Sequence, residues 1–265
     1  MLVVTANIHA GVDGHGRATK ALSEVIDLAP DLLFVQELWR GDVEDQFTTI
    51  CNELGVQGEF VELSPCVRVT GERGGRGWHP IHGLFTGDRG LYFSTHQTLT
   101  PARIARRDAA HGAETGSWGV GLFTKLPVHS LNSEYLPQLR ADKTRRALII
   151  LESELDGVRF TAVAIHGAHL TDGSLKQYRY VAKRLDELSA TRPVVLAGDF
   201  NCWRPLLRTV LPKWRSALRA RTWPAWRPHS QIDHVLLRGP WRVTGARSIK
   251  NESDHRALEV ELTLN

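Results

Sequence analysis

Short apolar runs alternate with amphipathic stretches through the first third of the chain. Residues 2–8 read as a strand, and Ala18, Ala21, Leu22, Val25, Ile26 and Leu28 recur at helical spacing and stop before Pro30. Residues 32–36 form a second apolar run, and a helix is predicted over about 43–54. This β-α-β-α rhythm predicts an α/β layered architecture. Residues 64–90 break it with seven glycines interleaved with Arg68, Arg73, Arg76 and Arg89. A solvated, flexible loop is the favoured reading there, and a substrate-facing lid the other, since phosphate ligands favour Gly-rich backbone and Arg.

From Ser117 onward strands dominate. They are predicted at 120–124, 146–155 and 158–165, with Asp156-Gly157 as a hairpin turn between the last two. Leu175, Tyr178, Val181, Ala182, Leu185 and Leu188 mark a helix, followed by a strand ending at Asp199. Further strands are predicted at 232–237, 241–248 and 257–264. No repeat, linker or shift of composition interrupts the 265 residues, so they read as one domain, residues 1–265.

Composition narrows the classes without choosing among them. An apolar content of 42% supports a substantial core, and 33 basic against 29 acidic residues leave a charge of +4, compatible with anionic ligands. Cys51, Cys66 and Cys202 form neither a disulfide framework nor a zinc pattern. No signal peptide or membrane span is visible, and the expectation is a cytoplasmic monomer.

The chemistry-bearing residues sit beside the apolar runs. Asn7, Glu37, His166 and His169, Asp199 and Asn201, Asp233, and Ser253-Asp254-His255 all do so. Strand ends that converge would gather these groups into one site. Carboxylates gathered in this way repel unless a cation sits among them, and hard oxygen ligands favour magnesium. Asp199 and Asn201, two residues apart, point to one side of an extended backbone. There an Asp can take a proton from water and an Asn can fix that water, although a strand-end turn explains the same pair. A buried Asp233 bonded to His255 would orient the imidazole and raise its basicity. Glu37 is the best single metal-ligand candidate, and Asn7 reads equally as a turn cap.

Seven segments occur in the order of one known family. They are Thr5-Ala6-Asn7-Ile8-His9, Pro30-Asp31 through Gln36-Glu37, Trp118-Gly119-Val120-Gly121-Leu122-Phe123, Ala168-His169-Leu170, Gly198-Asp199-Phe200-Asn201, Ile232-Asp233-His234 and Ser253-Asp254-His255. Together they resemble the endonuclease/exonuclease/phosphatase superfamily. The resemblance implies an α/β four-layer sandwich of two packed, mostly antiparallel β-sheets flanked by helices. It also implies a magnesium-dependent hydrolase, with manganese as the alternative ion. Glu37 would bind the metal, with Asn7 and Asp254 as ligands or supporting partners. Asp199 would orient or deprotonate water, and Asn201 would hold nucleophile and phosphate. His255, oriented by Asp233, and a mid-chain histidine would stabilise the phosphate. His169 is favoured over His166 for that role, and Arg146, alone or with Arg145, is a phosphate-binding candidate.

The expected reaction is hydrolysis of a phosphodiester or phosphomonoester by in-line attack of water. The substrate is unassigned, with a nuclease favoured. A lipid-headgroup or inositol-phosphate esterase, or a non-catalytic binding module, is the alternative. Position 234 is His where repair endonucleases and many relatives carry Tyr. Residues 213–227 interleave Trp214, Trp223 and Trp226 with five basic side chains. Packing against the sheet is the leading reading of that segment, then nucleic-acid binding, then lipid contact.

Overall fold

The computed structural model describes residues 1–71, 77–80, 91–93, 112–140, 142, 144–170 and 173–265. Among them two sheets pack face to face. The first contains β1 (Leu2–Asn7), β2 (Leu32–Gly41), β3 (Gln57–Val69), β4 (Leu91–Phe93), β5 (Ala113–Thr124), β12 (Trp241–Ile249) and β13 (Ala257–Leu264), in the order β12-β13-β1-β2-β5-β3-β4. The second contains β6 (Val128–Tyr135), β7 (Ala147–Leu155), β8 (Val158–His166), β9 (Val194–Asp199), β10 (Arg215–Ser216) and β11 (Asp233–Arg238), in the order β10-β11-β9-β8-β7-β6.

Each sheet holds one parallel pair, β1–β2 and β8–β9, among antiparallel neighbours. A parallel pair needs a crossover, and here a helix supplies each. One is α1 (Ala21–Ile26), between β1 and β2, and the other is α3 (Ser174–Leu188), between β8 and β9. In α3, Tyr178, Val181 and Leu185 are buried at helical spacing and pack on the second sheet together with α4 (Arg204–Val210). α2 (Gln46–Leu54) covers the first sheet beside α1. Asp45 caps it by accepting from the amides of Phe47 and Thr48, and Gly55 closes it in the left-handed region.

Alternation along the strands sorts the core. Val3, Phe34, Ala162, Val195 and Val235 point between the sheets, whereas Val4, Val35, Val163, Leu196 and Leu236 point out to the helices. The result is the expected four-layer sandwich.

The elements differ from expectation in extent. α1 is a turn and a half, because Ala18 bridges back to Val12 rather than entering the helix. β6 lacks a strong apolar alternation, being an edge strand with one half-exposed face. Residues 64–69, within the predicted loop, complete β3, and Arg68 there is buried against Glu44 and Glu114 rather than facing a substrate. Arg73, Arg76 and Arg89 lie outside the described residues. The Asp156-Gly157 hairpin is present, with both residues at positive φ.

Candidate active site

The carboxyl ends of the two parallel pairs meet at one edge of the sandwich. Asn7 ends β1, and His166 and Asp199 end β8 and β9, where they are directly paired. On the other side of Asp199 its antiparallel partner is Asp233, the first residue of β11. All four lie on the inward-pointing set of their strands, continuing Val3, Ala164, Ala197 and Val235. Gly198 allows β8 and β9 to approach this closely: a Cβ there would stand 1.9 Å from the Ile165 carbonyl oxygen.

Glu37 reaches the same place by a different device. By alternation it would follow Val35 outward to the helices. Instead the register with β5 shifts between Gln36 and Leu38, and Glu37 is the extra residue, at φ 56°. A bulge of this kind re-aims one side chain and increases the local bend. Trp39 then resumes the inward face.

Asn7 ties two of the acids together. Its amide Nδ2 donates to Glu37 Oε1 at 3.0 Å and to Asp199 Oδ2 at 3.2 Å. Asp199 Oδ1 accepts the backbone N–H of Asn201 at 2.7 Å, and the Asn201 side chain donates to the Gly167 carbonyl. His255 Nδ1 lies 2.9 Å from Asp233 Oδ2, which leaves Nε2 turned toward Asp199 and Asp254, 3.8 and 3.9 Å away. Trp223 donates its indole N–H to Asp254.

The electrostatics follow from burial and crowding. Burial pushes Asp199 up to about 7, with Asp233 and Glu37 adding repulsion and His255 opposing it. Burial likewise raises Glu37, with Asp254 adding to it while His9, Asn7 and His255 counteract. For His255 burial favours the neutral ring, but the charges of Asp233, Asp254 and Asp199 outweigh it and hold the ring protonated well above its usual range. His166, desolvated and near Arg146, goes the other way and is held neutral. Four buried or nearly buried acids crowded on one histidine are short of positive charge, an arrangement able to take up a cation. Asp199, Asp233 and His255 can bring one ligand atom each within 4.8 Å of one another.

These residues open on a cavity of 720 Å³. Glu37, Asp199, Asn201, Asp254 and His255 line it, and so do both candidate histidines. His166 is buried, with Nε2 3.7 Å from Asp199 Oδ2 and its ring against Trp118, whereas His169 sits exposed on the rim. Arg146 is buried in the wall, paired with Asp142 at 2.7 Å. Arg145 instead lies over the Tyr135 ring, away from the cavity. His9, Asp142, Thr144 and Trp203 also line the space and were not singled out from sequence. The Asp142–Arg146 spacing of four was the only local signal for that pair. Trp203, 58% exposed, had none beyond its nearness to Asn201.

The Trp-rich segment is largely consumed by packing. Trp214 is buried under the second sheet, Trp226 stacks on the buried Trp78, and only Trp223 faces the cavity. Among the described residues, no helix is long and apolar enough to cross a membrane.

Comparison with known proteins places this geometry. The sequence profile of the "Endonuclease/Exonuclease/phosphatase family" matches residues 4–255. A UPF0294 protein of Vibrio cholerae is 27% identical over 179 residues, covering 64% of this chain and 62% of its own length, so the match spans under two thirds of that curated relative. Among solved structures, an endonuclease/exonuclease/phosphatase from Beutenbergia cavernae superposes with a TM-score of 0.64 at 18% identity, over all of this chain and 72% of the other. A mannosyl-6-phosphatase from Bacteroides thetaiotaomicron superposes with a TM-score of 0.63 at 13% identity, over the full length of both. At such identities these structures share the fold.

Proposed function

The chain belongs to the endonuclease/exonuclease/phosphatase family, and from that premise we propose that it is a divalent-metal-dependent phosphoesterase acting by in-line attack of water. The observation that carries this reading is the meeting of Glu37, Asp199, Asp254 and His255, with Asp233 bonded to His255, from four separate stretches of chain at one cavity. The crowded acids suit a cation. Glu37 and Asp254 would hold it, because Asp233 is engaged by His255 and Asn7 turns a donor rather than an oxygen toward Glu37. Magnesium fits this hard oxygen set, with manganese as the alternative. When bound, the ion would offset charge developing on the phosphoryl and leaving oxygens.

The protein's own groups supply the rest. Asp199, with a proton affinity near neutrality, takes the proton of the attacking water as its oxygen bonds to phosphorus and the ester P–O bond breaks. Asn201, fixed by Asp199 and Gly167, positions that water. The protonated His255 donates from Nε2 to a phosphoryl oxygen, with Asp233 holding the ring in place. His166, next to Asp199, and Arg146 in the wall face the reacting phosphate, and His169 meets the substrate at the rim.

The remaining wall includes Leu170, Trp203, Trp223 and Ile232, an apolar and aromatic surface suited to an ester with a planar or apolar leaving group. A nucleotide ester is the favoured substrate class. The second reading, a lipid-headgroup or inositol-phosphate ester, draws on the apolar part of the same wall. Two buried free cysteines are compatible with a reducing, cytoplasmic setting.

Hydrolysis of bis-p-nitrophenyl phosphate with magnesium, repeated with chelator and with Asp199→Asn, tests the reaction. A panel of DNA, RNA, sphingomyelin, inositol phosphates and nucleotides tests the substrate. Metal-dependent turnover lost in the variant is expected. Tight ligand binding with no turnover on any ester would replace the enzyme with a binding module.

A further inference from the structure

A second cavity, of 210 Å³, lies on the outer face of the second sheet. His234 in its wall follows Asp233 on β11, and alternation sets the two on opposite faces. Val235 and Leu237 continue Asp233 into the core between the sheets, whereas Leu236 continues His234 into the helical layer. The second cavity is thus separated from the carboxylate cluster by the thickness of the sheet.

Its lining is cationic. Arg204, Arg208, Arg215 and Arg219 contribute to the wall, and no carboxylate does. Among the described residues none of the four pairs with an acid. Arg215 donates to the Trp241 carbonyl oxygen, and the buried Nε of Arg204 has no partner. Burial and repulsion from Arg219 and Arg208 weaken the hold of Arg204 on its proton. His234 closes the wall with a neutral ring whose Nε2 donates to the Cys202 carbonyl at 3.1 Å, so the anion-facing donors are the arginines. Like charges gathered without a counter-charge repel, and the buried Arg204 Nε–H without a partner is destabilising. An anion among them would relieve both. Guanidinium forks match tetrahedral oxyanions, and the volume suits a compact one. Trp214, also in the wall, is buried in the helical layer's core, so the site offers charge rather than a stacking platform for bases.

We propose that this cavity binds a compact phosphate-type oxyanion at a site distinct from the hydrolytic centre. The phosphate belongs to a small free ligand or to a polynucleotide backbone, and the chemistry recognised is the same.

The test is a proton–nitrogen NMR titration of the metal-free full chain with inorganic phosphate at constant ionic strength. The amides of Leu207, Ser216 and Leu236 should shift and saturate with a Kd in about the millimolar range or tighter. The double variant R204Q/R219Q should weaken this about tenfold or more, with the kcat on bis-p-nitrophenyl phosphate unchanged. The single variant R208Q, at an exposed position, gives the same comparison should the double variant misfold. A short single-stranded oligonucleotide provides the second arm. Tighter binding than phosphate at the same amides assigns the source to a polynucleotide, and equal or weaker binding assigns it to a free anion. Absence of saturable shifts at these amides, or shifts undiminished in the arginine variants, overturns the proposal. Because the readout does not involve hydrolysis, its failure is distinguishable from failure of the esterase reading.

Discussion

Asp233 Oδ2 accepts from His255 Nδ1 at 2.9 Å, joining the first residue of β11 to the turn before β13, and so the second sheet to the first. The bond fixes which ring nitrogen faces the cavity. It also supplies the negative charge that keeps a buried imidazole protonated. Asp233→Asn keeps the shape but removes that charge. A fall in kcat of about a hundredfold or more is expected, with the pH profile of the variant moved because His255 loses its proton more readily. Steady-state kinetics across pH checks it; an unchanged profile would remove His255 from the reaction.

The raised proton affinities of Glu37 and Asp199 make metal binding pH-dependent. A cation favours the charged carboxylates, so binding must release protons, and affinity must weaken as pH falls through about 7, where Asp199 protonates. Calorimetry in buffers of different ionisation enthalpy would count the protons. An affinity that is flat between about pH 5.5 and 8 contradicts a cation held by Glu37 beside Asp199.

The two mid-chain histidines should separate kinetically. His166 is buried beside Asp199, so His166→Gln should lower kcat by about a hundredfold. His169 stands on the rim, so His169→Gln should act mainly on KM. The reverse pattern would make His169 the group at the reacting phosphate.

His234 predicts a stability change in acid. Burial depresses its folded pKa to about 4, so between that value and the 6.5 of an unfolded chain the unfolded state binds the extra proton. Stability is therefore lost as pH falls from 6.5 toward 4, by about 3 kcal/mol for this group. Urea unfolding of the wild type and His234→Gln at several pH values isolates the contribution; parallel curves would disprove it.

Gly198→Ala should be among the most damaging single-methyl changes. Its Cβ would collide with the Ile165 carbonyl oxygen where β8 and β9 deliver His166 and Asp199. Loss of folded protein is expected, read by circular dichroism and thermal unfolding.

Much of this was legible along the chain, for a physical reason. Strand alternation and helical spacing are local, so β1, α3, β9, β11 and β13 could be located from apolar periodicity. The order of the Asn, Glu, Asp and His segments was legible too, because Asn7, His166, Asp199 and Asp233 sit at the end or start of a strand, while Glu37 follows the apolar half of β2, which continues past it to Gly41. β6 was missed because a half-exposed edge strand carries little periodicity, and β3 was missed whole, residues 57–63 without a reading and residues 64–69 because the glycines further along read as loop.

Sequence by itself therefore determined the layered α/β class and nominated Asn7, Glu37, Asp199, Asp233, Asp254 and His255 as chemistry. Tertiary structure decided how they meet. The bulge turning Glu37 inward depends on β5, and the Asp199–Asp233 register and the choice of Arg146 over Arg145 depend on how separate strands come together. So does the cluster of arginines behind β11. Periodicity tells each residue which face of its own strand it occupies, and only pairing between strands decides what that face will touch.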